Sequence, residues 1–420
     1  MNKQMNHQRI AIIGAGISGL SVANLLTSHG NNVVVFEQNN QIGGLVKCTV
    51  EDGVLFHRVG GHVFNTKIKK VEDWFWKQFS KDDEFILAKR NAKIWLDNKY
   101  IGYPIENYLY QLEKSITSKI ISDLLDNMLK NNVEIEDFDH FLNQNFGKTL
   151  YDLYFKPYNN KIWNTDLSKV PLPWLDGKLP MPNIQDIIID NIYKADDKLM
   201  VHSSFFYPKE NGSSFIVNKL AKNISISIDS KISTIIRKND CWDINGQIFD
   251  SAIFTGDVRR LYEIIQIDNA HVLSECKTVQ NLLSNGTSNA LCYVDDSDLS
   301  WLYLPELKTK SHRIIFTGNF SPNNNADNRL TCTVEFSGIL SEREMKDELK
   351  RMPGNLQPIA FNQEPNSYVI QHSNTRELIS KLKSVLNPFN FFLLGRFAEW
   401  EYYNMDKAIE AAMKLVEEQF

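Results

Sequence analysis

The chain has 420 residues, 43% of them hydrophobic and 23% charged. That composition supports a sizeable core and excludes wholesale disorder, and the length predicts two or three domains at roughly 150 residues each. With 46 Lys and Arg against 51 Asp and Glu the net charge is −5, which argues against nucleic-acid binding, since such proteins carry a basic excess.

Residues 9–45 read as strand, tight turn, helix and strand. Ile10–Ile13 is a short buried strand, and Ile17–Ser28 has helical apolar spacing at Leu20, Val22, Leu25 and Leu26, closed by Gly30. Val33–Phe36 has the continuous apolar run of a parallel strand covered on both faces. Between strand and helix stands Gly14-Ala15-Gly16-Ile17-Ser18-Gly19, a GxGxxG in the one context where it matters. Gly14 permits the sharp turn, Gly16 lets backbone approach a pyrophosphate, and Gly19 lets helix and strand pack closely. The free amides of the first helical turn, at Ser18, face the phosphates. Glu37 closes the second strand 23 residues after Gly14, where a carboxylate accepts hydrogen bonds from the ribose hydroxyls and repels a 2′-phosphate. Gly43-Gly44 follow. An acid followed by Gly-Gly is the pattern of flavoproteins related to glutathione reductase, and it implies FAD.

From Val71 the pattern becomes helical, at Val71–Phe79, Asn107–Leu129, Asp139–Phe146 and Thr149–Tyr158. Lys178–Asn183, with Pro180 and Pro182, reads as an extended loop. Short strands follow at Ile232–Arg237, Trp242–Ile244, Ile248–Thr255, Ser288–Tyr293, Trp301–Leu304, Arg313–Phe316 and Thr331–Phe336, and the chain closes with strand Phe391–Leu394 and helix Met405–Glu418. The expected fold class is α/β: a glutathione-reductase-type, Rossmann-like FAD-binding domain carrying an inserted helical domain and a mostly antiparallel β-sheet domain. The expected FAD domain is discontinuous, over 1–70, 205–260 and 385–420. The helical domain spans 71–180, and the sheet domain 181–204 and 261–384.

The five cysteines, Cys48, Cys241, Cys276, Cys292 and Cys332, are scattered and form no CxxC. Neither a zinc site nor a disulfide framework is expected, and a reducing cytoplasm is the simplest compartment. The apolar N-terminal stretch is broken by glycines and has no cleavage signal, and no apolar run is long enough to span a membrane. The sequence offers no GxSxG, no HExxH and no obvious paired-carboxylate site.

Several segments, in order, resemble the UDP-galactopyranose mutase family. Val59-Gly60-Gly61-His62-Val63-Phe64-Asn65-Thr66 is similar to its GPHxFHT segment beside the flavin, and Tyr103-Pro104-Ile105-Glu106-Asn107 to its FPxP-type turn. Leu150–Tyr158 followed by Lys161-Ile162-Trp163 resembles LYExFFKGY…KQW. Phe254-Thr255-Gly256 resembles YTG, His312-Arg313-Ile314-Ile315 resembles the segment with the phosphate-binding arginine, and Gly395–Met405 is close to GRLAEYKYYDM.

The resemblance implies a mutase that interconverts pyranose and furanose forms of a nucleotide diphosphate sugar such as UDP-galactose, N5 of reduced FAD attacking the anomeric carbon. It implies His62, Arg313, Arg396 and Tyr402 as catalytic residues. Tyr154, Phe155, Tyr158, Trp163, Lys178 and Tyr368 become the substrate-binding residues. Gly14, Gly16, Ser18, Gly19, Glu37, Gly43, Gly44, Gly61, Gly395, Arg396 and Met405 become the FAD-binding ones. Arginine forks suit a pyrophosphate, and tyrosines offer phenol donors on rings that wall a site. No metal, nucleic acid or membrane is expected. A homodimer is implied, and an external reductant such as NAD(P)H, because no second GxGxxG is evident. The chain departs from the family at Lys178 for the loop arginine, at Gly61, at Asn404, and at Phe316–Phe320. Trp301–Pro305 and Asn319–Pro322 are also similar to the protoporphyrinogen-oxidase and amine-oxidase flavoproteins. An FAD-dependent oxidoreductase of that type is therefore the alternative reading.

Overall fold

The computed structural model describes residues 7–129, 135, 137–172, 183–194 and 204–420. Five parallel strands form its dinucleotide sheet, in the order Phe391–Leu393, Ser251–Phe254, Arg9–Ile13, Asn32–Phe36 and Ser225–Ser227. Ile12 stands opposite both Val35 and Ile253, so both chain ends and the middle meet in one sheet. Such strands are covered on both faces and need an apolar residue at nearly every position. Helix Ile17–Ser28 lies on one face with helix Met405–Gln419, joined through Leu20, Ala23, Leu26, Ile409, Ala412 and Val416. Trp242, Phe249, Ile379, Leu382 and Leu386 cover the other face.

A seven-stranded sheet runs Gln357–Val369, Ser284–Tyr293, Thr331–Ser337, Ser311–Ile315, Trp301–Tyr303, Ala92–Leu96, Lys99–Gly102. It is antiparallel except where Trp301–Tyr303 runs parallel to Ala92–Leu96. Its thirteen-residue edge strand, Gln357–Val369, was hidden in sequence by Pro358 and Pro365. Proline lacks the N–H of a ladder and reads as a strand breaker, yet an edge tolerates it.

The helical unit comprises Lys114–Leu129, Phe138–Phe146, the run from Lys148 to Trp163, and Ile184–Tyr193. Tyr151–Phe155 within that run winds as a π-helix, immediately before Pro157, which has no N–H to donate back. Its core is shared with the seven-stranded sheet: Phe141, Leu150, Tyr154, Trp301, Tyr303 and Ile315 form one cluster.

Three boundaries differ from expectation. The span 71–180 is not wholly helical, since Phe85–Lys89 pairs with Ser204–Pro208, and Ala92–Leu96 and Lys99–Gly102 complete the large sheet. Helix Thr375–Leu386, expected in the sheet domain, packs its apolar face on the dinucleotide core. The single strand expected at Ile248–Thr255 is two strands in two sheets. At Asp250 the chain crosses over, its amide donating to Arg9 O at 2.8 Å while its carboxylate accepts from Arg9 N at 2.7 Å. Among the described residues no helix is long and apolar enough to cross a membrane, and no cluster of His, Cys, Asp and Glu could hold a metal ion.

Candidate active site

The end of the first strand, the start of the first helix and residues 395–405 enclose a cavity of about 350 Å³. It is lined by Gly14, Gly16, Ser18, Glu37, Gly43, Gly44, His62, Arg396 and Met405, nine residues named from the sequence. Gly19 and Gly395 act behind this lining. A side chain on Gly19 would run into the Gly14 carbonyl, and one on Gly395, at φ +96°, would reach Ser18 Oγ at 2.6 Å. The C-terminal segment can therefore close over the first helix only with glycine at 395. Glu37, buried, accepts from the amides of Ala15 and Asn39, each at 3.0 Å, and from Asn39 Nδ2 at 2.9 Å. Those bonds lock the carboxylate at the cavity wall.

His62 lines the same cavity, and its Nε2 is buried with no hydrogen-bond partner. A buried ring nitrogen without a partner is rare and costly, and here it marks the place a cofactor or substrate would satisfy. Burial, followed by the nearby Arg396 charge, pushes the His62 pKa down to about 3, so the imidazole is neutral. The folded value lies below the unfolded value of about 6.5, so the unfolded chain takes the proton first. The stability contributed is complete above about pH 6.5 and is lost as pH falls toward 3. His62→Gln should accordingly narrow the gap between urea midpoints measured at pH 4.5 and 7.5; an unchanged gap would place that pH dependence elsewhere.

Arg396 also faces the cavity, but its fork is already oriented by backbone. Nη1 donates to Ser367 O at 2.9 Å, Nη2 and Nε to Tyr403 O at 2.5 and 3.2 Å. The guanidinium carbon sits 4.6 Å from the Tyr402 ring centroid. Tyr402 stacks on Tyr368 at 5.7 Å and 9°, and Trp163 meets both rings edge-on at 5.7 Å. A rigid aromatic wall thus leads from the cofactor cavity toward the helical unit.

Behind that wall lies an ionic network that the sequence reading did not include. Arg313 Nη2 donates to both oxygens of Glu335 at 3.0 Å, Tyr368 OH donates to Oε1 at 2.7 Å, and His312 Nε2 lies 2.8 Å from Oε1. Burial alone would raise the Glu335 pKa, but Arg313 and then His312 outweigh it and hold the carboxyl well below the usual range. Burial lowers the His312 pKa more than Glu335 raises it, which assigns a neutral ring with its Nε2–H donating to Glu335. Arg313, expected to bring a cation to a pyrophosphate, therefore arrives neutralised by Glu335. The signal was there to read: a lone glutamate inside the otherwise uncharged strand Thr331–Ser337, six of whose seven residues are buried. Gly60 packs against this pair, its amide donating to Asn289 Oδ1 at 3.1 Å.

Other residues named from the sequence fall in different places. Tyr154 stacks on Tyr158 at 5.4 Å and 9°, and Tyr158 meets His312 at 6.5 Å, extending the wall. Phe155 turns into the helical core and stacks on Phe146 at 3.9 Å, so one face expected for a base is covered. Gly61 packs against Ile315 and Phe320 and does not line the cavity; Tyr403, not singled out from sequence, does. Lys178 lies outside the described residues.

The fold and cavity define a dinucleotide-binding enzyme whose cofactor site is assembled from both ends of the chain. Residues 12–79 match the NAD(P)-binding Rossmann-like domain. The chain is 22% identical to the UDP-galactopyranose mutase of Mycoplasma genitalium, over 98% of this chain and 94% of that protein. It superposes on a crystal structure of reduced UDP-galactopyranose mutase with a TM-score of 0.88 at 19% identity, covering 98% and 96% of the two chains. The mitochondrial protoporphyrinogen oxidase of Nicotiana tabacum is 27% identical over only 37% of this chain, which spans 33% of that relative's length. Over nearly its whole length the chain is thus similar to UDP-galactopyranose mutases in sequence and in fold.

Proposed function

We propose that this chain is a flavin-dependent mutase that interconverts pyranose and furanose forms of a nucleotide diphosphate sugar. The observation that carries the reading is continuity. One cavity holds the dinucleotide fingerprint, the neutral His62 and Arg396, and from Arg396 an aromatic wall runs through Tyr402, Tyr368 and Trp163 to the helical unit. An apolar or amine substrate has no use for the Arg396 guanidinium set at the head of such a wall.

Gly14, Gly16, Ser18, Glu37, Gly43, Gly44 and Met405 would hold FAD, and the reduced flavin would supply the nucleophile for the anomeric carbon. The protein's own contribution is position and charge. Arg396, aimed by the carbonyls of Ser367 and Tyr403, stabilises the departing diphosphate. Tyr402 donates a phenol hydrogen bond to a phosphate oxygen, Tyr368, whose hydroxyl is given to Glu335, walls the site with its ring, and Trp163 packs on the sugar. His62, neutral at working pH, orients a sugar hydroxyl or flavin atom without adding charge. An external reductant such as NAD(P)H keeps the flavin reduced. The chain works in the cytoplasm as a homodimer.

The test is incubation of dithionite-reduced protein with UDP-galactopyranose and a panel of other nucleotide sugars. Furanose product without net flavin oxidation is expected. Failure of every nucleotide sugar to bind the reduced protein overturns the reading. Substrate-driven flavin bleaching without isomerisation favours an oxidoreductase instead.

A further inference from the structure

Lys161 stands in the last turn of helix Lys156–Trp163, and its ammonium reaches from the helical unit into the seven-stranded sheet. Nζ donates to the carbonyls of Leu304 at 2.8 Å and Ser311 at 2.9 Å, and to that of Glu306. Leu304 and Ser311 are the two feet of the turn that joins antiparallel strands Trp301–Tyr303 and Ser311–Ile315, and Glu306 lies within it. An ammonium has three hydrogens and no acceptor, so the three carbonyls use all of them. Lys161 is 8% exposed. Among the described residues it forms no ion pair, the nearby Glu306 and Glu348 being paired with Lys308 and Arg351. A buried charge is tolerated only with its hydrogen bonds complete.

What this cation joins decides its use. Three residues before it, Tyr158 meets Tyr303 edge-on at 5.7 Å and His312 at 6.5 Å. Two residues after it, Trp163 meets Tyr368 and Tyr402. The hairpin on the other side carries Tyr303 opposite Arg313. Helix and sheet therefore face each other across the aromatic wall. Lys161 ties them together there, beside Asn285, whose Nδ2 donates to Ile162 O at 2.9 Å.

We propose that Lys161 is a positioning residue: through the carbonyls of Leu304, Glu306 and Ser311 it holds Tyr158 and Trp163 in place against the strands that carry Arg313. The inference deepens the nucleotide-sugar reading and rests on it, since Trp163 packs on the sugar there.

The tie is also titratable. Glu306 and Lys308 face the ammonium from the turn, Glu348 from helix Glu342–Leu349, and His312, a neutral ring, from its own strand. Burial is the largest influence and brings the Lys161 pKa down to about 7, against the upward pull of Glu348 and Glu306. A neutral amine has two hydrogens and a lone pair, so one of the three bonds is lost as pH rises through 7. The folded value lies below the unfolded value of about 10.4, so the stability contributed by this lysine rises with pH between the two. Weaker substrate binding over that range cannot then come from unfolding at this residue.

Affinity for UDP-galactopyranose, read by flavin absorbance of reduced holoprotein at pH 6 and 8.5, tests the proposal in wild type, Lys161→Gln and Lys161→Met. Amide hydrogen exchange of residues 158–164, corrected for intrinsic rates, is followed alongside without nucleotide. The wild type is expected to bind about 3- to 10-fold more weakly at pH 8.5, the range of one net hydrogen bond, and to lose protection in 158–164. Lys161→Gln keeps two N–H donors without charge and should behave at both pH values as the wild type does at pH 8.5, with flavin content unchanged. Lys161→Met, with no donor, should bind more weakly still. Wild-type affinity and protection in both variants at pH 6 would overturn the proposal and leave the mutase reading standing. So would a glutamine variant that keeps the wild-type pH dependence. Where a variant does not fold, the wild type decides alone: affinity and protection that stay flat with pH overturn the proposal. A wild type that binds no nucleotide sugar would remove the mutase reading and the positioning role together.

Discussion

Replacing Glu335 with alanine is expected to destabilise the chain by about 3–5 kcal/mol, the range for breaking a buried ion pair from one side. The carboxylate takes two hydrogen bonds from Arg313, one from Tyr368 and one from His312, and with its side chain 1% exposed no water replaces it. Removing it leaves the Arg313 guanidinium without its counter-charge and His312 Nε2 without its acceptor. Glu335→Gln keeps a hydrogen-bonding group and loses the charge, so it should fall between wild type and alanine. Urea unfolding followed by Trp fluorescence measures both, and a loss under about 1 kcal/mol for the alanine variant would contradict the network as described. The pH dependence has a definite sign. The folded pKa of Glu335 lies below the unfolded value, so this stability is fully present above the unfolded value of about 4.3 and is lost as pH falls through the folded one.

The second large effect is on turnover. Arg396→Ala should lower furanose formation per bound flavin by about 10²–10³-fold, the loss typical of removing one preorganised donor to developing charge. Arg396→Lys should recover little, because a lysine cannot span the carbonyls of Ser367 and Tyr403 that aim the fork. The rate per flavin is the quantity to compare, since Arg396 also borders the cofactor cavity. Turnover of the alanine variant within threefold of wild type would take Arg396 out of the reaction.

Local patterns read well because local geometry alone enforces them. Helix Ile17–Ser28 was located to the residue, since the glycine turn before it and the apolar spacing within it belong to one stretch of chain. The stretch Asn107–Leu129 was read as one helix; it is two short 3-10 turns at Ile105–Asn107 and Leu109–Gln111 followed by helix Lys114–Leu129. Apolar spacing continues through such turns and does not show where a helix begins. The strand at 357–369 was missed for a related reason: whether a proline breaks a strand depends on whether that strand lies at a sheet edge.

The residues that line the cavity at the head of the first helix were legible in the sequence. Gly14, Gly16, Gly19, Glu37 and the 395–405 segment carry their reason in backbone conformation and spacing, and the cavity forms where they meet. Only the tertiary structure decided the electrostatic character of the site. Arg313 meets Glu335 across 22 residues, Arg396 meets Ser367 across 29, and Lys161 meets Ser311 across 150. The charge a buried group presents depends on what the fold places against it. For that reason two arginines that look alike in sequence arrive as one neutralised partner and one fork held by carbonyls. Lys161, read in sequence only as part of a motif, stands as a buried cation among three carbonyls.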